Sequence, residues 1–448
     1  MSAGESGDEC PRQEEEYVDV VVVGAGAAGL YAAHLLRQQV KPMLKVVVLE
    51  AASRIGGRIL TLDGFAPFPV DLGAEFIHGE NTLHYNFCVK HRLSLQRTFC
   101  SFPPLGTDAY FSDRKAVEEF FWLPSQRRLI SWVDAQKPAS EGGVPHLAQM
   151  LSQVASIEHG VDLDDRTSRS LYEHLVSQGV DQSMLSLADS IVAKTWSADI
   201  SQLGAVDCAA ESAKQSFNPG PNNFVVEDGH RQMLEVMAAG VDIRFKSKVL
   251  AIEHQAHREK HLVTADGGQT FVANRVLLAS PLTSYRNSSE FVEHDGEPGA
   301  AAGITLSPHI PELARAASEC FEGAAVKVIL SFTHRFWPEE MLLVFCAESI
   351  VSQIWAEPPR PKYEGQPPCH LLTGFITGSQ AQAAARWKTW QILDSFLKQL
   401  DLMCAVPCPP LAPLSPSLSL SLSLSLSLSI YLSFWDDSRC VSHMRWSG

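Results

Sequence analysis

The N-terminal segment predicts an α/β chain built on a Rossmann-like parallel sheet, and three observations carry that expectation. Residues 18–23 (VDVVVV) form an apolar, β-branched run, the pattern of a strand covered on both faces. It leads directly into GAGAAG, which sets Gly24, Gly26 and Gly29 in a G-x-G-x-x-G frame, and then into an Ala/Leu-rich helical run over 27–37. A second β-branched run, 45–49 (KVVVL), ends at Glu50, 21 residues after Gly29.

Each part has a mechanical reason. Gly24 permits the tight turn from strand to helix, Gly26 lets the backbone approach a pyrophosphate, and Gly29 lets helix and strand pack closely. The helix N-terminus, at Gly26, Ala28 and Gly29, offers unpaired N–H groups and the positive end of a dipole to phosphates. Glu50, at the end of the second strand, is placed to accept hydrogen bonds from a ribose diol. The order of strand, glycines, helix, strand and acid therefore points to a dinucleotide site.

Length, charge and cysteine usage exclude several classes. The chain has 448 residues, enough for two or three domains. Its net charge is −15, which argues against a sequence-independent nucleic-acid binder. Six acids against Arg12 crowd residues 1–16, an acidic leader expected to be disordered and unlike a signal peptide. Ten cysteines without a C-x-x-C framework suggest free thiols in a reducing compartment. The apolar stretch 20–33 is 14 residues long, too short to span a bilayer, so no membrane partner is expected.

The next segment chooses the dinucleotide. After Glu50 come AASRIGGRI, with Gly56, Gly57 and Arg58, and then DLGAEFIHG over 71–79. A Gly-Gly-Arg so soon after the acid offers another close backbone approach and a fixed cation near phosphates. On these motifs the chain resembles the FAD-dependent amine oxidases, most of all the polyamine and spermine oxidase branch. The resemblance continues through FVVEDGHRQMLEVMA (224–238), VDIRFKSKVLAIEH (241–254), NRVLLASPL (274–282), FEGAAVKVILSFTHRFWPE (321–339) and HLLTGFITGSQAQAAARW (370–387).

The resemblance implies FAD as cofactor and a fold of the two-dinucleotide-binding-domain type with an α+β substrate-binding domain. It implies that Glu50 and Arg58 hold the adenosine ribose and diphosphate, and that Gly57 lies beside them. Gly73, Ala74 and Glu75 would pass beside the flavin, and the backbone of Val249 would contact the adenine. It further implies an oxidase passing hydride from the carbon beside an amine nitrogen to flavin N5, with oxygen as the second substrate and hydrogen peroxide released. Polyamines or acetylated polyamines are the expected substrates, with a monoamine or amino acid as the alternative.

Three side chains are candidate site residues. Lys327 sits in AAVKVILSF, an apolar β-rich run where a buried lysine costs on the order of several kcal/mol unless its charge is relieved or paired. An exposed position on an edge strand is the competing reading. The resemblance gives Lys327 a catalytic role, hydrogen-bonded through a water to flavin N5. His78 and Glu75 would fix a cationic amine, with His78 also close to the chemistry; a capping acid and a core histidine are the plainer alternatives. His84, Cys88 and His91, spaced i, i+4, i+7, could share a helix face as metal ligands, but no fourth ligand is recognisable, so an amphipathic core face is expected and no metal.

The expected organisation is a FAD-binding domain over 17–80 and 210–285, with a third piece near the C-terminus, and a substrate domain over 81–209 and 286–400. Residues 114–196 read as helical. The tail, 401–448, departs from the resemblance: five prolines in ten residues from Pro407 to Pro416 precede strict Ser/Leu alternation from Ser417 to Ser429. Such alternation makes a two-faced strand in principle, yet its repetitiveness suggests translated simple repeat, and an unstructured tail is expected. The Phe-Ala-Gly-Glu motif that contacts the FAD pyrophosphate in the family is absent. The alternative expectation is therefore a truncated, FAD-poor and non-catalytic chain. The expected location is cytoplasmic, with a peroxisomal one left open.

Overall fold

In the computed structural model, the described residues are 15–39, 43–100, 118–158, 169–209, 222–286, 303–332, 334–357, 360–365, 369–404, 428–434 and 442–446. The acidic leader to residue 14, the proline run, and the Ser/Leu alternation to residue 427 lie outside them. Two compact units divide the chain: 1–60 with 230–322, and 61–229 with 323–448. Residues 61–80 and 222–229, expected with the dinucleotide site, thus belong to the second unit, whereas 303–322 belong to the first.

The first unit is organised by a seven-stranded sheet. Its order is Asp242–Arg244, Val46–Leu49, Glu16–Val23, Thr270–Leu278, Lys260–Ala265, Val249–Gln255 and Thr305–Ser307. The first four run parallel, with Val20 beside Val46 on one side and Arg275 on the other. Val21, Val22, Val47 and Val48 are fully buried, which is why the run is continuous rather than alternating. Lys260–Ala265 pairs antiparallel with both neighbours, making a meander attached to the parallel half. The helix Ala27–Gln39 follows the glycine turn and packs on this sheet through Leu30 and Ala33, both fully buried.

The second unit is α+β. An eight-stranded sheet has the order Ser442–Trp446, Leu428–Phe434, Ala325–Phe332, His370–Thr377, Gln353–Ala356, Met341–Cys346, Glu118–Leu123 and Arg128–Ser131. All neighbours are antiparallel except Met341–Cys346 with Glu118–Leu123. The helix Thr389–Cys404 buries Ile392, Phe396 and Leu400 against the strand residues Val328, Leu330, Leu372 and Ile376. A second core gathers the helices Leu147–Glu158, Leu171–Ser177 and Gln182–Ile191 with Phe121 and Phe345. A three-stranded sheet, Ile77–His78, Asn222–Val226 and Leu95–Cys100, stands apart.

Two expectations are corrected here. Residues 114–196 are not uniformly helical, because EEFFWL over Glu118–Leu123 forms a strand; Phe121 and Trp122 are buried on opposite cores, the aromatic route to strand stability that a search for β-branched clusters overlooks. The tail is not wholly unstructured either. Leu428–Phe434 pairs with the lysine-bearing strand, Lys327 opposite Ser433, and Ser442–Trp446 pairs with it in turn. Period-two alternation continues into a strand because an open sheet edge offers unpaired N–H and C=O groups. Among the described residues, no helix is long and apolar enough to cross a membrane.

Candidate functional site

In the first unit, the glycine turn has the geometry a dinucleotide needs. Gly24 adopts φ +102°, and its N–H reaches Leu49 O at 2.8 Å, tying the two strand ends together. A Cβ on Gly29 would lie 2.0 Å from Gly24 O, so only glycine lets helix and strand approach this closely. A Cβ on Gly26 would meet nothing within 4 Å, leaving an open cradle at the helix N-terminus. Ala28 is exposed on the first helical turn. Glu50 holds the rim: its Oε2 accepts Ala25 N–H at 2.7 Å and its Oε1 accepts Ala52 N–H at 2.8 Å.

The Gly-Gly-Arg turn docks against the same cradle. Gly56 N–H donates to Ala25 O at 2.8 Å and Gly56 pairs with Gly26 as a parallel bridge. Arg54 braces it, donating to Ile55 O, Gly57 O and Ile59 O, a role its place in the motif had not revealed. Gly57 and Arg58 are exposed beside the cradle. Val249, buried at the start of its strand, follows a turn whose Lys246 and Ser247 N–H groups donate to Ala52 O and Glu50 O. Open cradle, anchored acid and a free cation fit a dinucleotide: Glu50 for the ribose, the amides of 26–29 and Arg58 for the phosphates.

In the second unit, Lys327 is an interior residue. Its strand is flanked on both sides, and the side chain is 3% exposed, which overturns the edge-strand reading. The ammonium donates to Asp71 O at 2.7 Å, Gly73 O at 3.2 Å and Glu75 Oε2 at 2.5 Å. Those are three acceptors for three donors. The lysine therefore staples the segment from Asp71 to Glu75 to the sheet, and the water-bridged hydrogen bond expected from the resemblance has no free N–H to use in this arrangement. Glu75 is anchored as well: its Oε1 accepts from Trp355 Nε1 at 3.2 Å, and the Lys327 ammonium lies 5.4 Å from the Trp355 ring centre. Ala74 is half-buried between these contacts.

His78 has the opposite character. It is exposed, and its Nδ1 lies 2.6 Å from Oδ1 of Asn223, a fully buried residue directly opposite it in the small sheet. Phe76 connects the two settings, with ring centres 6.3 Å from His78 and 5.9 Å from Trp355, and Phe375 lies 5.8 Å beyond Trp355.

A buried ion pair completes the charge pattern. Arg360 donates to Glu357 Oε1 at 2.7 and 2.5 Å and to Val226 O at 3.3 Å, with its guanidinium over Phe68. Burial pushes the Glu357 carboxyl up to about 7, with Glu75 raising it further and Arg360 and Lys327 opposing. Asp71, Glu75 and Glu357 thus face two cations, Lys327 and Arg360. Glu357, Arg360, Trp355 and Asn223 went unremarked in the sequence, since nothing local marks them. His84, Cys88 and His91 lie on and just after the helix Leu83–Lys90, where Cys88 is fully buried with Ile77 and Phe224 and His91 packs on Phe87. Among the described residues, no three His, Cys, Asp or Glu side chains gather as a metal site.

A Rossmann-type cradle in one unit and a lysine-stapled α+β sheet in the other define a dinucleotide-binding α/β class. The family model described as flavin containing amine oxidoreductase matches residues 27–410, and the chain belongs to that family, whose cofactor is FAD. It is 28% identical over 357 residues to "Polyamine oxidase 2" of Arabidopsis thaliana, covering 78% of this chain and 64% of the relative. It is 26% identical to "Polyamine oxidase 3" of Oryza sativa subsp. japonica, with 75% and 64% covered. The chain thus spans just under two thirds of these relatives' length. Among solved structures, putrescine oxidase bound to putrescine matches with TM-score 0.66 at 19% identity, covering 87% of this chain and 82% of that one. Cyclohexylamine oxidase from Brevibacterium oxydans IH-35A matches with TM-score 0.66 at 20% identity, covering 86% and 81%. These likenesses show the shared fold.

Proposed function

We propose that the chain oxidises an amine with FAD and molecular oxygen, with polyamines or acetylated polyamines as the substrate class. The observation that carries this reading is the open cradle at Gly26, rimmed by Glu50 and faced by the Gly56–Gly57 turn. FAD, when bound, supplies the hydride acceptor and returns its electrons to oxygen as hydrogen peroxide. Glu50 orients the ribose, and the amides of 26–29 with Arg58 hold the pyrophosphate. Lys327 fixes the backbone from Asp71 to Glu75, and His78 offers an acceptor to the amine. Phe76, Trp355 and Phe375 exclude water, which favours the neutral amine needed for oxidation. The net charge of −15 is compatible with a cationic substrate. The product imine hydrolyses to an aldehyde and an amine.

The polyamine class rests on the names of the relatives and on this net charge, and the names of the fold neighbours favour a short diamine or a cyclic monoamine as the second reading. A panel of spermine, N1-acetylspermine, putrescine, cyclohexylamine and an amino acid, read by peroxide release, separates them. Turnover with the acetylated and free polyamines is expected, and turnover confined to cyclohexylamine or the amino acid would overturn the polyamine class.

A further inference from the structure

The hairpin from Val249–Gln255 to Lys260–Ala265 brings together two histidines that stand seven residues apart in sequence. His254 and His261 are directly opposite in the antiparallel register, so their side chains leave the same face of the sheet. Their ring centres lie 5.0 Å apart with the planes tilted by 43°, so the pair is not stacked face to face. His254 is exposed and His261 is half-buried. His261 is level with Ala273, and Ala273 with Val18, five positions before Val23. The pair therefore lies roughly 16 Å along the strands from the end that feeds the glycine turn.

Two imidazoles at this separation match the bite of a single metal ion. Bonds of about 2.0–2.1 Å from nitrogen to the metal put each ring centre about 3.2 Å from the ion, so ligands about 90–110° apart have ring centres about 4.5–5.2 Å apart. The observed 5.0 Å falls inside that range. Both rings stand on strands already fixed to each other by backbone pairing, so little ordering remains to be done when the ion arrives. We propose that His254 and His261 form a two-histidine site for a divalent transition-metal ion, Cu²⁺ by preference and Zn²⁺ more weakly, with water in the remaining positions. Imidazole suits both ions, and Cu²⁺ stands highest in the affinity order at a nitrogen site. The neutral ring is the ligating form, and it predominates above about pH 6.5. Among the described residues no third His, Cys, Asp or Glu completes a group of three with them, His257 of the turn included, so the ion is shared with solvent. Bound there, it ties the two strands of the hairpin together, separately from the cradle and from amine oxidation.

The test is titration of the full chain with Cu²⁺ at mildly alkaline pH, its accessible thiols first blocked with N-ethylmaleimide. Calorimetry reads the affinity, and electron-spin-echo modulation of the bound Cu²⁺ counts the coordinated imidazoles through their remote nitrogens. Wild type is expected to hold its tightest Cu²⁺ on two imidazoles. H254N and H261N each leave one ligand, and losing the second, intramolecular one should weaken that site about 100-fold. H257N, the control within the same hairpin, should leave it unchanged. Zn²⁺ alone should raise the melting temperature of wild type more than that of H254N/H261N, because the ion binds the paired strands better than the unfolded chain. A tightest Cu²⁺ site with fewer than two imidazoles, or a loss of less than about tenfold in both single variants, overturns the proposal. Should H261N not fold, H254N, at the exposed position, carries the test alone.

Discussion

Replacing Lys327 by methionine removes the cation from a pair whose side chains are 3% and 5% exposed. Methionine fills the volume, so the loss is electrostatic and hydrogen-bonding in origin. It strands the Glu75 carboxylate and takes the donor from Asp71 O and Gly73 O. Breaking one partner of a buried pair costs about 3–5 kcal/mol, because the remaining charge is left desolvated. E75L should cost a similar amount, since it leaves the ammonium uncompensated beside Trp355. The double variant K327M/E75L replaces the pair by apolar groups and is expected to recover at least about 2 kcal/mol of the summed loss, as coupled buried neighbours do. Urea unfolding followed by far-UV circular dichroism reads all four corners of the cycle, provided the denaturant slope is unchanged. Single losses below about 1 kcal/mol, or strictly additive ones, would refute the staple, because additivity means the two groups do not meet.

Further expectations follow from the cradle and the buried acid. G26A places a methyl in open space and should fold normally while weakening FAD binding, whereas G29A drives its methyl to 2.0 Å from Gly24 O and should lower the melting temperature itself; equal effects on stability would contradict the geometry. E50Q exchanges a carboxylate that accepts two backbone N–H groups for an amide, and losing one charge-assisted bond to ribose, worth about 1.5–3 kcal/mol, should raise the FAD dissociation constant roughly 10- to 150-fold. Fluorescence quenching of added FAD reads it, and a change under about twofold would contradict the rim role. Glu357 has its folded value raised from 4.5 to about 7 by burial, so the folded chain holds more protons there than the unfolded one within that window. Its contribution to stability therefore falls as pH rises from about 4.5 to about 7, and E357Q should flatten that slope in a series of urea midpoints; an unaltered slope would show that another group carries it.

The dinucleotide half was legible because its logic is local. Gly24, Gly29 and Glu50 must stand at fixed spacing for turn, packing and ribose contact to coexist, so forty residues of sequence contain the whole device. Lys327 was legible as an anomaly, a lysine in an apolar run, but its partners lie 252 to 256 residues away and carry no local mark. Asn223 and Trp355 are ordinary strand residues until the sheets bring them to His78 and Glu75. The strand Glu118–Leu123 was hidden by its aromatics, and the strand Leu428–Phe434 by a repeat that looks uninformative until it meets a sheet edge.

Whether the cradle holds its cofactor is read most directly from the visible spectrum of the purified chain, before and after incubation with FAD and removal of the excess. Retention of about one FAD per chain, weakened by G26A and E50Q, is the expected result for an open, acid-rimmed cradle. A colourless wild-type chain that takes up no FAD on reconstitution would contradict flavin-dependent amine oxidation by this chain and favour the non-catalytic alternative.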